Sequence, residues 1–426
     1  MASVLIKGGH IINPATEMNI ISDMFIEDGK VKRIAEDINA AADVVIDADG
    51  LDVMPGFVDM HVHFREPGFE YKETIKTGSL AAAAGGYTTV CPMPNTKPVI
   101  DCAEMVNFIK EKSESDSIIN IIPVGSMTKA QAGEEVSDIH GMKKAGAGAL
   151  SEDGKSVMCT PVLYEALKAA VAENLIFLDH CEDKSLVRGG VMNEGRKSKE
   201  LGLAGITDSV EDTITARDII MCNETGVRLH ICHCSTKIAA DLVRYAKSRG
   251  MKVTAEVTPH HFTLTDDDIP SDDGNYKMNP PLRSKDDVME MLRGLKDGTI
   301  DCISTDHAPH SADEKNVSMN KAAFGIVGLE TAYSLSQTAL VNTGILTSDE
   351  LVCKMSLNPS RILGIDRGDI SVGKAADIAI ADPGQGYEIN PCEFRSKGHS
   401  TPFAGKYVMG RVLMTLVNGN IVFKRQ

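Results

Sequence analysis

The sequence predicts an α/β protein: a closed (β/α)8 barrel of the TIM type, with a small β-sandwich domain built from both termini. Three observations carry this. From about residue 53 to residue 340, apolar strand-like runs alternate with amphipathic stretches, the pattern of parallel β/α architecture. Eight such runs occur, at 57–63, 87–93, 118–124, 148–151, 175–180, 228–234, 252–257 and 300–305, the number that closes a barrel. Short β segments occupy both ends of the chain. An open doubly wound sheet is the alternative for the middle. No Gly-x-Gly-x-x-Gly follows a first strand, so a dinucleotide fold has little support.

Taken in order, residues 1–54 read as the first part of the β domain. Val4-Leu5-Ile6, Met24-Phe25-Ile26, residues 31–34 and residues 44–47 are strand-like, and Asp28-Gly29 marks a hairpin turn. Residues 55–365 form the barrel, with helices expected over 74–84, 103–112, 131–144, 161–173, 210–225, 237–248 and 286–296. Residues 366–426 return to β character, with strands at 377–380, 412–417 and 421–423 and a second hairpin signal at Asn418-Gly419. The two ends are therefore expected to build one domain together.

With 426 residues, 42% of them hydrophobic, the chain can bury a large core. Its formal charge of −16 argues against nucleic acid or an anionic membrane as partner, while leaving room for a locally positive pocket. Ten scattered cysteines lack the spacing of a disulfide framework. No signal-peptide pattern and no membrane-length apolar run is present, so a reducing cytoplasm is the expected location. Cys232-His233-Cys234 has no matching second pair and reads as buried free thiols rather than a zinc knuckle.

Chemistry in such barrels sits at the C-terminal ends of the strands. The first run ends in Asp59-x-His61-x-His63, followed by Arg65. Alternation puts the two imidazoles on one face, where they can grip one ion. The fourth run leads into Asp153, the fifth into His180, the sixth into His233 and the eighth into Asp306. Singly, each has an ordinary alternative: Asp153 and Asp306 as turn or cap residues, His180 and His233 as core histidines. Together they put metal-binding side chains on one rim, and four His with two carboxylates can hold two divalent ions if one carboxylate bridges.

These residues, with His61-Val62-His63-Phe64-Arg65-Glu66-Pro67-Gly68, Met93-Pro94-Asn95-Thr96 and Thr305-Asp306-His307-Ala308-Pro309-His310, resemble the amidohydrolase superfamily and within it the bacterial class I dihydroorotases. The resemblance spans essentially the whole chain. It implies two zinc ions per subunit, bridged by Asp153 and a hydroxide: His61, His63 and Asp306 would hold one, His180 and His233 the other. Many members of the superfamily bridge with a carboxylated lysine instead, and Lys155 is the residue here that would play that part. The implied reaction is reversible cyclisation of N-carbamoyl-L-aspartate to (S)-dihydroorotate with release of water, a step of pyrimidine (UMP) biosynthesis. Asp306 would be general acid/base.

The resemblance also assigns substrate contacts: His63, Arg65 for the unreactive carboxylate, Asn95, His310, Asn279 for the ring amide, and the backbone at Phe324-Gly325. For Asn279 the residues alone favour a turn before Pro280. The polar segment 310–324 is either a lid or a plain surface loop. His260 and His261 are read as structural, as are His10, His140, His230 and His399. The rival readings are an allantoinase or hydantoinase, and a metal-free relative serving as partner subunit. A small-molecule substrate is expected, and a homodimer is left open.

Overall fold

Phe57–Val62 is buried at every residue. A strand covered on both faces belongs to a parallel sheet wrapped by helices. In the computed structural model, which describes residues 2–425, that sheet is a barrel. Phe57–Val62, Tyr87–Pro92 and Asn120–Ile121 pair in parallel. Val124–Ser126, Ala149–Ser151, Ile176–Asp179, Arg228–Ile231, Val253–Val257 and Cys302–Ile303 continue the parallel order. The third expected strand is split between these two groups. Pro123 stands at the break and has no N–H for the ladder, while Ile122 N still donates to Val90 O at 3.0 Å.

The last seam joins the eighth strand to the first. His63 N donates to His307 O at 2.8 Å, and Val62 and His307 form an isolated parallel bridge. Asp59 accepts from Thr305 N at 3.1 Å and Thr305 Oγ1 at 2.6 Å.

Helices lie at Ile75–Ala84, Ala103–Asp116, Thr160–Ala172, Ser209–Thr225, Lys237–Ser248 and Lys285–Asp297, overlapping the expected stretches. The stretch 131–144 differs: its helix is only Ile139–Ala145. Ala130 and Gln131 adopt φ of 52° and 51°, which no helix admits. Asp138 then caps the true start by accepting from Gly141 N. An excursion over 183–206 carries two short helices and the two-residue pair Met192–Asn193 and Gly205–Ile206. The sequence pattern does not announce it. The buried Arg283 fastens it, reaching Asn193 Oδ1 at 3.2 Å, Asp208 Oδ1 at 3.1 Å and Ser235 Oγ at 3.0 Å.

Both termini enter one eight-stranded sheet. Asp52–Pro55 pairs in parallel with Val4–Asn13 and antiparallel with Ile378–Glu388. Two hairpins have the left-handed pair of turn residues that matches strand twist: Asp28 and Gly29 at φ 52° and 73°, and Asn418 and Gly419 at φ 46° and 75°. Gly56 alone separates Asp52–Pro55 from the first barrel strand. A β-carbon there would lie 2.2 Å from Thr88 Cγ2, so only glycine fits this join. Among the described residues no helix is long and apolar enough to cross a membrane.

Phe57 anchors the floor of the barrel. It stacks on Tyr333 with centroids 5.5 Å apart and meets Tyr87 edge-on at 5.6 Å. Phe57→Ala is expected to destabilise the fold by about 3–5 kcal/mol, measured as a lowered midpoint of chemical denaturation.

Candidate metal and substrate site

Three of the rim residues sit where the chain leaves a strand in left-handed backbone: Arg65 at φ 59°, His233 at 33° and Asp306 at 47°. Such conformations cost free energy for residues with a β-carbon and persist where the surroundings enforce them. Here they turn side chains inward over the barrel mouth.

Two groups of ligand atoms result. In the first, His61 Nε2 lies 3.6 Å and His63 Nε2 lies 3.2 Å from Asp306 Oδ1. In the second, His180 Nδ1 and His233 Nε2 are 2.8 Å apart, and stand 3.5 Å and 3.9 Å from Asp153 Oδ1. Asp153 lies between the groups, with His61 Nε2 3.1 Å from Oδ1 and His63 Nε2 3.4 Å from Oδ2. All six residues are buried. Lys155 is elsewhere: its Nζ donates to Gln131 O at 2.9 Å.

Burial alone would strip charge from these groups. For His180 burial acts downward, but hydrogen bonds to Asp153 and Glu182 outweigh it and push the imidazole up to about 10. His61 is likewise held well above its usual value, burial being outweighed by Asp153. Asp153 and Asp306 are held below the carboxylate range because the histidines outweigh their burial. His233 drops to about 3, through burial and then repulsion from His180 and His61. Without metal, protons thus balance the carboxylates.

Divalent ions can take that role. His61 Nε2 is buried and makes no well-aligned hydrogen bond, only a 3.1 Å approach to Asp153 Oδ1, a placement that a shared ion would satisfy. The sets His61, His63, Asp306 and His61, Asp153, His233 have metal-ligand spacing, and neutral imidazole with carboxylate suits zinc. The residues fit the group.

A cleft of about 230 Å³ opens onto this cluster. His63, Arg65, Asn95, Asn279, Phe324 and Gly325 line it, so the expected substrate contacts converge. Asn95 bridges His63 Nδ1 and Asp153 Oδ2, each at 3.0 Å. His310 stands just behind, 3.2 Å from the Arg65 guanidinium and 2.8 Å from Phe324 O. His261 is bonded to Thr258 Oγ1 and Pro280 O. The segment after His310 forms the short helix Ala312–Lys315, and Lys315 is buried, donating to Lys277 O and Ala323 O.

Two carboxylates escape a sequence reading. Glu182 lines the cleft and contacts His180 Nε2 at 3.3 Å and Asn279 Nδ2 at 3.1 Å. Its position two residues past His180 was the available signal. Glu256, on the seventh strand, accepts from His61 Nδ1 at 2.9 Å, and a lone Glu inside an apolar strand, Val253–Val257, was the signal there.

A barrel with this mouth defines a hydrolase of the amidohydrolase type. A family model described as Dihydro-orotase-like matches residues 50–239. A dihydroorotase of Acetivibrio thermocellus is 47% identical over 423 residues, covering 99% of each chain. One of Pelotomaculum thermopropionicum is 48% identical over 421 residues, covering 99% of this chain and 98% of its own. Among solved structures, L-hydantoinase from Arthrobacter aurescens superposes with a TM-score of 0.89 at 27% identity, covering 100% of this chain and 96% of its own. The chain belongs to the dihydroorotase family.

Metal uptake must displace the protons held on His61 and His180. Zinc added to the metal-free protein at pH 7 is therefore expected to release protons in a pH-stat, and affinity to fall as pH is lowered. Lys155→Met is expected to leave zinc stoichiometry unchanged, read by elemental analysis.

Proposed function

We propose that the chain catalyses the dihydroorotase reaction, reversible cyclisation of N-carbamoyl-L-aspartate to (S)-dihydroorotate with release of water. The observation that carries this reading is the Arg65 guanidinium on the wall of a cleft whose floor is the Asp153–Asp306 cluster. An anchor for an unreactive carboxylate faces a hydrolytic centre. His61, His63 and Asp306 would hold one zinc ion, and His180 with His233 the other, with Asp153 shared. When bound, such ions activate water and polarise a carbonyl.

The chain's own residues do the rest. Arg65 binds the carboxylate as a fork of donors, and His310 supports it. Asn279 orients the ring amide, Asn95 steadies His63 and Asp153, and the backbone at Phe324-Gly325 bounds the ring. In the hydrolytic direction Asp306 takes a proton from the attacking water and gives it to the leaving ring nitrogen. In the biosynthetic direction the carbamoyl nitrogen bonds to the carboxyl carbon, a C–O bond breaks, and Asp306 carries the proton the other way. Ten free cysteines accord with a cytoplasmic site of action.

The hydantoinase alternative draws on the structural likeness at 27% identity. A steady-state comparison of dihydroorotate, allantoin and hydantoin separates the readings: a preference for either of the latter two would reject the proposal. Asp306→Asn is expected to keep the fold and lose roughly 10²–10⁴-fold in kcat. Arg65→Met is expected to weaken substrate binding by about 1.5–3 kcal/mol, seen chiefly in KM for the carboxylated substrate.

A further inference from the structure

Glu256 is fully buried behind the candidate metal ligands His61 and His233. Its Oε1 accepts from His61 Nδ1 at 2.9 Å and His233 N at 3.3 Å. Its Oε2 accepts from His230 Nε2 at 3.0 Å and Ser304 Oγ at 2.5 Å. The donors come from the first, sixth and eighth strands and their C-terminal ends. An ionised carboxylate offers about four lone-pair sites and no proton, so this one is saturated.

Saturation dictates where protons sit on the two rings. His61 must keep a proton on Nδ1, so that once a metal has displaced its other proton the Nε2 lone pair faces Asp153 and Asp306. His230 must carry its proton on Nε2, so its Nδ1 accepts from Thr254 Oγ1 at 2.8 Å. A directional chain runs from Thr254 through His230 to Glu256, where it meets His61. The spacing of His230, Glu256 and Cys302 also suits a cation. With every lone pair of Glu256 already engaged, and Cys302 Sγ 4.0 Å from His230 Nε2, nothing is left there to bind one.

We propose that Glu256 is a positioning residue for the reaction: it locks His61 as the Nδ1–H tautomer, aims Nε2 into the metal cluster, and lends that ring negative charge that strengthens it as a ligand. The proposal rests on reading His61 as a metal ligand. Carboxylates behind metal-bound histidines fix orientation and raise basicity in this way, and losing one costs roughly 10–100-fold in metal affinity or activity.

Glu256→Gln removes the charge. The amide oxygen can still accept from His61 and His233 N. The amide nitrogen can donate to Ser304 Oγ and to His230 Nε2, once His230 shifts its proton to Nδ1 and donates to Thr254. The heavy-atom contacts can all be kept; the charge goes, Ser304 Oγ turns from donor to acceptor, and His230 changes tautomer. Zinc affinity is measured by chelator competition for wild type and variant. Circular dichroism checks the fold, and ¹⁵N NMR of histidine side chains in the zinc-loaded wild type reads the tautomers. The expected result is zinc binding weakened roughly 10–100-fold at unchanged secondary structure, with kcat lowered and KM preserved. The wild type should show His61 protonated at Nδ1 and His230 at Nε2. A folded variant that binds zinc as tightly as wild type overturns the proposal. So does either ring found as the opposite tautomer in the wild type, whether or not the variant folds. Wild-type protein that binds no zinc would refute the metal reading itself, and the proposal with it.

Discussion

Buried charge must be balanced where it lies, and this constraint governs the barrel mouth. Four imidazoles and two carboxylates meet there with almost no exposure, and an uncompensated ion in such a place is prohibitively costly. Asp153 stands within 4 Å of His61, His63, His180 and His233. Of these, His61 and His180 are its cationic partners. The left-handed turns at His233 and Asp306 bring both side chains into this cluster.

The cleft above has a second, cationic pole. Arg65 and Lys72 converge on His310, with Lys72 Nζ 3.1 Å from its Nδ1. Burial, Arg65 and Lys72 together push His310 down to about 3, so it stays neutral and lets Nε2 donate to Phe324 O. Glu314 steadies Lys72 at 2.8 Å from outside. A chain with a formal charge of −16 thus keeps a locally cationic wall on the cleft that Asp153 and Asp306 also line. Under the proposed function, this pole would hold the unreactive carboxylate of an anionic substrate.

Much of this was legible because it is periodic. Alternation along residues 57–63 declares a strand, and the same rule applied at five strand ends brings the rim residues to one mouth. Asn-Gly and Asp-Gly between apolar runs declare both hairpins. What stayed hidden depends on geometry that no local pattern encodes. Glu256 looks like an interruption of an apolar strand until three other strands supply its donors. Glu182 gains meaning only when Asn279, far along the chain, meets it. The split at Pro123 reflects a change of pairing partners, and the late start of Ile139–Ala145 reflects two left-handed residues whose side chains give no warning. The excursion over 183–206 is held by long-range contacts, among them Arg283 and Asp266 on Asn193, that sequence spacing cannot express.

The sheet shared by both termini has a consequence for synthesis on the ribosome. Asp52–Pro55 emerges early, yet its neighbour Ile378–Glu388 is translated more than three hundred residues later. Until then one flank of that strand has no partner, and unpaired edges are where nascent chains aggregate. Gly56 alone joins this strand to the first barrel strand. Completion of this sheet therefore waits for the strands that follow residue 377.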